Sequence, residues 1–199
     1  YLAMNYHLDA IWGHISRHAN GLFFNSSVSE QSFLARYPDA EKTSRYSRLL
    51  STKLHEYKTA GALFSRDHVL IMGNHFAHKA SETTGNLFKA AFPHCQCVVI
   101  GQENGVSQNV RTYQAGTLNE RQMESLYKRA SIVVLPSYVE GFGFGLLHAL
   151  AMGKVVVARD IPVTRDILST YKDISGVFLY SDDGEFVQAL RRAMMQSSS

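Results

Sequence analysis

"IVVLPSYVEGFGFGLLHALAMGKVVVARD", residues 132–160, holds its pieces in a telling order. An apolar β-branched run comes first, then a glycine-rich turn carrying Glu140, then a leucine- and alanine-rich stretch closed by Gly153, then a second β-branched run. The two runs read as buried strands and the stretch between them as a helix, so the segment predicts one βαβ unit. In open α/β sheets ligands bind beyond the carboxyl ends of the strands, which is where this turn falls. Gly141, Gly143 and Gly145 let the backbone come close to a ligand. A helix starting at Phe144 would direct free N–H groups and the positive end of its dipole to the same place. Such a turn suits a phosphate.

Outward from this unit the same alternation continues. β-Branched runs at 21–26, 69–73, 97–101, 132–137, 155–158 and 176–180 read as strands. Helix-like stretches at 28–36, 80–91, 119–130, 144–152, 162–170 and 183–195 lie between them. The expected fold class is α/β: a Rossmann-like parallel sheet with helices on both faces. A second turn, "NHFAHK" at 74–79, follows the strand "VLIMG" and offers Lys79 as a mobile positive charge. Two loops on one anion fit a diphosphate. Glu140 would be repelled there unless it has other partners, and sugar hydroxyls donate well to a carboxylate. A diphosphate joined to a sugar is a nucleotide-sugar.

Composition narrows the classes. With 199 residues, 45% hydrophobic and 19% charged, the chain can bury one core and part of a second. The net charge of +3 is scattered, which gives no ground for a nucleic-acid partner and suits an anionic ligand or an acidic membrane surface. Cys95 and Cys97 would point to opposite faces of a strand and are poorly placed to bridge, so a reduced, cytoplasmic setting is expected. No apolar run reaches the ~18 residues of a membrane span. The polar segment 39–67 reads as a linker with a helix near 44–57, on the spacing of Leu49, Leu50, Leu54 and Tyr57. A helix-strand-helix unit over 6–36 reads as the tail of a preceding α/β domain, and the start at Tyr1 as that of a piece of a longer chain. The expected boundary is near residue 60, giving a remnant plus linker at 1–60 and a ligand-binding domain at 61–199.

The plainer readings are explicit. Glycines and phenylalanines could serve packing alone, and Lys79 alone would be a solvated lysine. His75 and His78 have no third ligand at a metal spacing, so no metal site is assigned. His7, Asp9, His14 and His18 read as a surface cluster, and His148 alone as a half-buried, hydrogen-bonded side chain. A dinucleotide site fits poorly, because the glycines run G-x-G-x-G rather than G-x-G-x-x-G.

Residues 125–167, "SLYKRASIVVLPSYVEGFGFGLLHALAMGKVVVARDIPVTRDI", closely resemble the donor-binding region of retaining GT-B glycosyltransferases of family four. "LIMGNHFAHK", "VVIGQENG" and "YQAGTLNERQMESLY" are similar to the segments that precede it, so that the resemblance runs from about 68 to 190. "GLFFNSSVSEQSFLARYP" is more weakly similar to the end of that family's first domain. The resemblance implies the C-terminal half of a GT-B fold and a hexosyltransferase-type enzyme incomplete in this chain. A UDP- or GDP-sugar would be the donor and a saccharide or lipid-linked hydroxyl the acceptor, with no cofactor required. It also implies polysaccharide biosynthesis and a peripheral membrane contact.

By resemblance, Glu140 contacts hydroxyls of the donor sugar and Lys79 neutralises its diphosphate; these two are the expected catalytic residues. Gly143, Phe144 and Gly145 hold the diphosphate through backbone amides, and Ser137 lies in the family's "PS" position. Asn74 stands where many members have arginine. His148 stands where the family has a second glutamate that grips the ribose, and a neutral imidazole accepts one hydrogen bond where a carboxylate accepts two. That departure keeps open an alternative, a catalytically silent glycosyltransferase-like binding or scaffold domain.

Overall fold

β3 (His68–Ile71) and β4 (Cys97–Ile100) are buried at every position, as strands covered on both faces must be. They belong to a seven-stranded sheet in a computed structural model that describes residues 2–47, 67–171 and 174–197. The other strands are β5 (Gly105–Val106), β6 (Val110–Tyr113), β7 (Ala130–Leu135), β8 (Val155–Arg159) and β9 (Val177–Tyr180). Their order is β5-β6-β4-β3-β7-β8-β9. Every pairing is parallel except β5 with β6.

Two contiguous layers of side chains follow from strand alternation. Val69, Ile71, Val99, Ile132, Val134 and Val157 share one core cluster with Phe88 of α3 (Ser81–Ala91) and Phe186, Ala189 and Leu190 of α7 (Asp183–Ser197). The alternate residues Leu70, Val98, Val133 and Val156 are as deeply buried and face the other way. On this second side α4 (Glu120–Arg129) lies along β3 and β7, and α5 (Phe144–Ala151) lies along β7 and β8. α6 (Pro162–Thr170) brings Val163 and Ile167 up to the start of α5. Helices therefore cover both faces, as the alternation predicts.

α4 shows how locally the sequence specifies its elements. Asn119 accepts from the Gln122 amide at 3.0 Å, and the Gln122 side chain accepts from the Asn119 amide at 2.9 Å, a reciprocal capping box. The last turn carries Lys128 and Arg129 against the negative end of the dipole.

The chain divides into two compact units, Tyr1–Ser51 and Thr52–Ser199. The boundary expected near residue 60 lies outside the described residues. Within the first unit α1 (Leu2–His18), β1 (Gly21–Phe24) and α2 (Ser27–Arg36) form the expected helix-strand-helix. Asp9 is held by the Arg36 guanidinium and by the Tyr37 hydroxyl, which keeps its carboxyl below the ordinary range. The helix expected at 44–57 is corrected where it is described. Ser44–Ser47 is a strand, β2, that pairs in parallel with β1, so the sheet's ladder overrides the helical spacing read from the leucines beyond it. Residues 48–57 lie outside the described residues. A single parallel sheet was also expected for the second unit, and the short antiparallel β5 at its edge is a departure.

Candidate active site at the switch point of the sheet

The strand order reverses between β3 and β7. From β3 the chain builds outward through β4 to β6, then returns to β7 on the other side of β3 and builds away through β8 and β9. The loops leaving β3 and β7 therefore diverge in sequence direction but start side by side, which opens a crevice at the carboxyl edge. The first loop carries Asn74 and Lys79, the second Ser137 and Glu140.

Lys79 ends a short 3-10 turn, Ala77–Lys79, and its Nζ lies 2.6 Å from Oε1 of Glu140, 61 positions along the chain. Both side chains are partly shielded, 20% and 29% exposed, so the pair is neither a solvated surface contact nor fully dehydrated. The backbone joins the loops as well, since the Tyr138 N–H donates to the His78 carbonyl at 2.8 Å. Thus the two expected catalytic residues meet, and each is the other's partner.

Two helices begin at this edge, and neither has a side-chain cap. α5 is preceded by Gly143 in the left-handed region, φ 83°. Its first internal bonds run from the Leu146 and Leu147 amides to the Gly143 carbonyl, which leaves the amides of Phe144 and Gly145 ahead of the ladder. A Cβ at Gly145 would come within 3.0 Å of Leu135, so the helix start sits hard on the end of β7. α3 is preceded by Ala80 at φ 49°, the one non-glycine residue with positive φ among those described. Such backbone costs about 1–3 kcal/mol and gathers at functional sites. Asn74 shapes the loop, accepting from the Phe76 amide at 3.0 Å through Oδ1 and from the Ser81 hydroxyl at 3.2 Å through its carbonyl.

The aromatic residues divide their work. Phe142 is buried, while Phe144 is 63% exposed, with ring centroids 4.4 Å apart. Phe76, Tyr138 and Val139 are also exposed on these loops. Ser137 is buried at the base of its loop. His148 stands one turn into α5, exposed, with its ring edge-on to Tyr127 of α4 at 4.5 Å. The half-buried setting expected for it alone is thus corrected, because position 148 falls on the exposed side of α5.

Sequence reasoning missed Arg159, the last residue of β8. It is 6% exposed and donates from Nε to the Pro136 carbonyl and from Nη1 to the Ser181 carbonyl, each at 2.9 Å. An arginine closing the apolar run "VVVA" was the available signal, since an unpaired charge is almost never fully buried without a task. A cavity of about 380 Å³ lies at the opposite, amino-terminal edge, lined by Asp67, His68, Gln96 and Arg129 among others. It contains none of the loops above, and the switch-point crevice is the better candidate because charge, strain and free amides converge there. No group of three metal-ligating side chains occurs among the described residues. Cys95 and Cys97 are free thiols, with Cys95 outside the strand that holds Cys97. Among the described residues no helix is long and apolar enough to cross a membrane.

Comparison with known proteins agrees with this architecture. The chain is 34% identical over 65 residues to the uncharacterized glycosyltransferase MJ1607 of Methanocaldococcus jannaschii, a match covering 33% of the chain and 16% of that protein. Among solved structures it resembles the sucrose-phosphate synthase of Thermosynechococcus elongatus, with a TM-score of 0.70 and 17% identity over 96% of the chain and 53% of that structure. It also resembles WaaG, a glycosyltransferase involved in lipopolysaccharide biosynthesis, with a TM-score of 0.63 and 17% identity over 89% and 54%. A trehalose-6-phosphate protein of E. coli bound with UDP-2-fluoro glucose follows, with a TM-score of 0.65 and 9% identity over 88% and 53%. The chain spans about half the length of these solved structures and a sixth of the curated relative. Their fold is the GT-B glycosyltransferase fold, and this chain has half of it. Residues 67–198 match the family of glycosyl transferases group 1, and with two thirds of its length in that match the chain belongs to this family.

Proposed function

We propose that the second unit binds a nucleotide-sugar and supplies the donor side of a retaining, hexosyl-type glycosyl transfer. The observation that carries this is the Lys79–Glu140 pair at the switch point, beside two helix starts without side-chain caps. Lys79 is the cation for a diphosphate, and the amides of Phe144 and Gly145 are ready donors to it. Glu140, once Lys79 turns to phosphate, has both carboxylate oxygens free for sugar hydroxyls. As the glycosidic bond breaks, charge builds on the departing diphosphate, where Lys79, once turned to phosphate, and the helix dipole would stabilise it. The chemistry on this reading needs no metal. Binding of UDP-2-fluoro glucose by the structurally similar trehalose-6-phosphate protein supports the choice of ligand class. The acceptor is a saccharide or lipid-linked hydroxyl, which would bring the protein to a membrane surface from the cytoplasmic side.

Titration calorimetry of UDP and GDP in metal-free buffer tests the reading. Lys79→Ala should weaken binding about tenfold, or ~1.4 kcal/mol, because a charge-assisted bond to phosphate is lost and only part of it was offset by leaving Glu140. Equal affinities for parent and variant would reduce the loop to a structural turn.

The packing of His148 on Tyr127 favours keeping the silent binding module as a second reading. His148→Glu separates the two. If position 148 faces the ribose, a carboxylate regains two acceptor sites and affinity should rise about fivefold, ~1 kcal/mol. A fall for both nucleotides would instead favour the module.

A further inference from the structure

We propose that Arg159 is the positioning residue of this site, holding both loops so that Lys79 and Glu140 face one ligand; the proposal rests on the donor-site reading above. Burial of a guanidinium is costly unless it is richly hydrogen-bonded. Arg159 is 6% exposed and has no ion pair with a carboxylate among the described residues. What compensates it is the site itself. Nε binds the Pro136 carbonyl and Nη1 the Ser181 carbonyl, and the guanidinium lies 4.0 Å from the Tyr138 ring centroid and 4.9 Å from that of Tyr180.

These contacts fall at particular places. Pro136 and Tyr138 flank Ser137 at the root of the loop that carries Glu140. Tyr138 in turn donates its backbone N–H to the carbonyl of His78, the neighbour of Lys79. One side chain thus fixes the β7 loop directly and the β3 loop through Tyr138, while Ser181 ties in the end of β9. The planar fork matters, because it aims two donors in fixed directions and offers a flat face to the aromatic rings. A lysine keeps the charge but cannot hold this geometry. The fixed cation beneath the loops also adds to the positive potential that an anionic ligand meets.

The test uses Arg159→Lys and Arg159→Met in the 199-residue chain, with two readouts. One is hydrogen exchange of the Tyr138 amide relative to that of Val99 in β4, a strand distant in the sheet order from β8. The other is the affinity for UDP and for GDP. Both variants should speed exchange at Tyr138 relative to Val99 at least tenfold and weaken nucleotide binding at least tenfold, with the lysine variant less affected than methionine. A residue that only stabilises the fold would raise both amides together, and an unchanged ratio overturns the proposal. So does a changed ratio with unchanged nucleotide affinity. If the methionine variant does not fold, the lysine variant decides alone. If the parent chain binds neither nucleotide the donor reading fails, and the exchange ratio still decides whether Arg159 fixes the loops.

Discussion

Gly143→Ala should lower the free energy of unfolding by about 3 kcal/mol, read as a lower urea midpoint at unchanged slope. Two costs combine. At φ 83° an alanine sits in the left-handed region, which is unfavourable by roughly 1–2 kcal/mol. Its Cβ would also stand 2.6 Å from Cδ1 of Ile167 and 3.1 Å from Cγ1 of Val163. Ile167 is fully buried, so its end can yield only by displacing other core side chains, and overpacking of this kind costs about 1–3 kcal/mol. Ile167→Val removes the Cδ1 atom and separates the terms. In that background Gly143→Ala should retain the backbone cost of about 1–2 kcal/mol and the milder contact with Val163. An equal loss in both backgrounds would mean that the clash is relieved elsewhere. Nucleotide affinity should fall in the same variant, because Gly143 sets the direction of the amides that follow it.

Acid should cost this protein about 2–3 kcal/mol between pH 6.5 and 4 through a single histidine. His68 opens β3, is 8% exposed, and its Nε2 has no partner among the described residues. Burial pushes its pKa down to about 4, aided by the nearby cations Arg129 and Lys154 and opposed by Asp67 and a backbone hydrogen bond to Leu126. The folded state then takes up its proton only near pH 4, whereas the unfolded chain does so near 6.5. Across that window the unfolded state holds more protons, so stability is complete above 6.5 and declines as pH falls to 4. Urea titrations at pH 7 and 4.5 should show a smaller difference for His68→Gln than for the parent. Identical pH dependence in the two proteins would place the acid sensitivity at other groups.

Much of the second unit was legible because its strands are short runs of β-branched residues between glycine turns, which few other arrangements satisfy. The edge was not. β6, "VRTY", is only partly buried, and β5 has two exposed residues, so neither leaves the apolar run by which a central strand is recognised. β2 escaped for a different reason: a ladder with β1 formed where the nearby leucines suggested a helix. At the site, the loops, the helix start at Phe144, Lys79 and Glu140 follow from local pattern, whereas Asn74, Ser137 and the place of His148 rest on the family resemblance. The direct contact between Lys79 and Glu140 follows from neither. It depends on β3 lying beside β7, a neighbour relation that no spacing in the chain encodes. Arg159 was hidden in the same way, because its partners are backbone carbonyls at the ends of two other strands.

The mutual neutralisation of Lys79 and Glu140 bears on discrimination against bystanders. A bare cationic crevice would collect any abundant phosphate or nucleoside triphosphate that met it. On the donor reading an anion that draws Lys79 away leaves Glu140 in a half-shielded place, where an unaccompanied carboxylate is disfavoured and repels the newcomer. A free sugar faces the converse difficulty, since its hydroxyls must compete with an ammonium group for Glu140. On the donor reading only a molecule that brings anion and hydroxyls together satisfies both residues at once. The crevice then refuses half-ligands by the bond it must break to admit them.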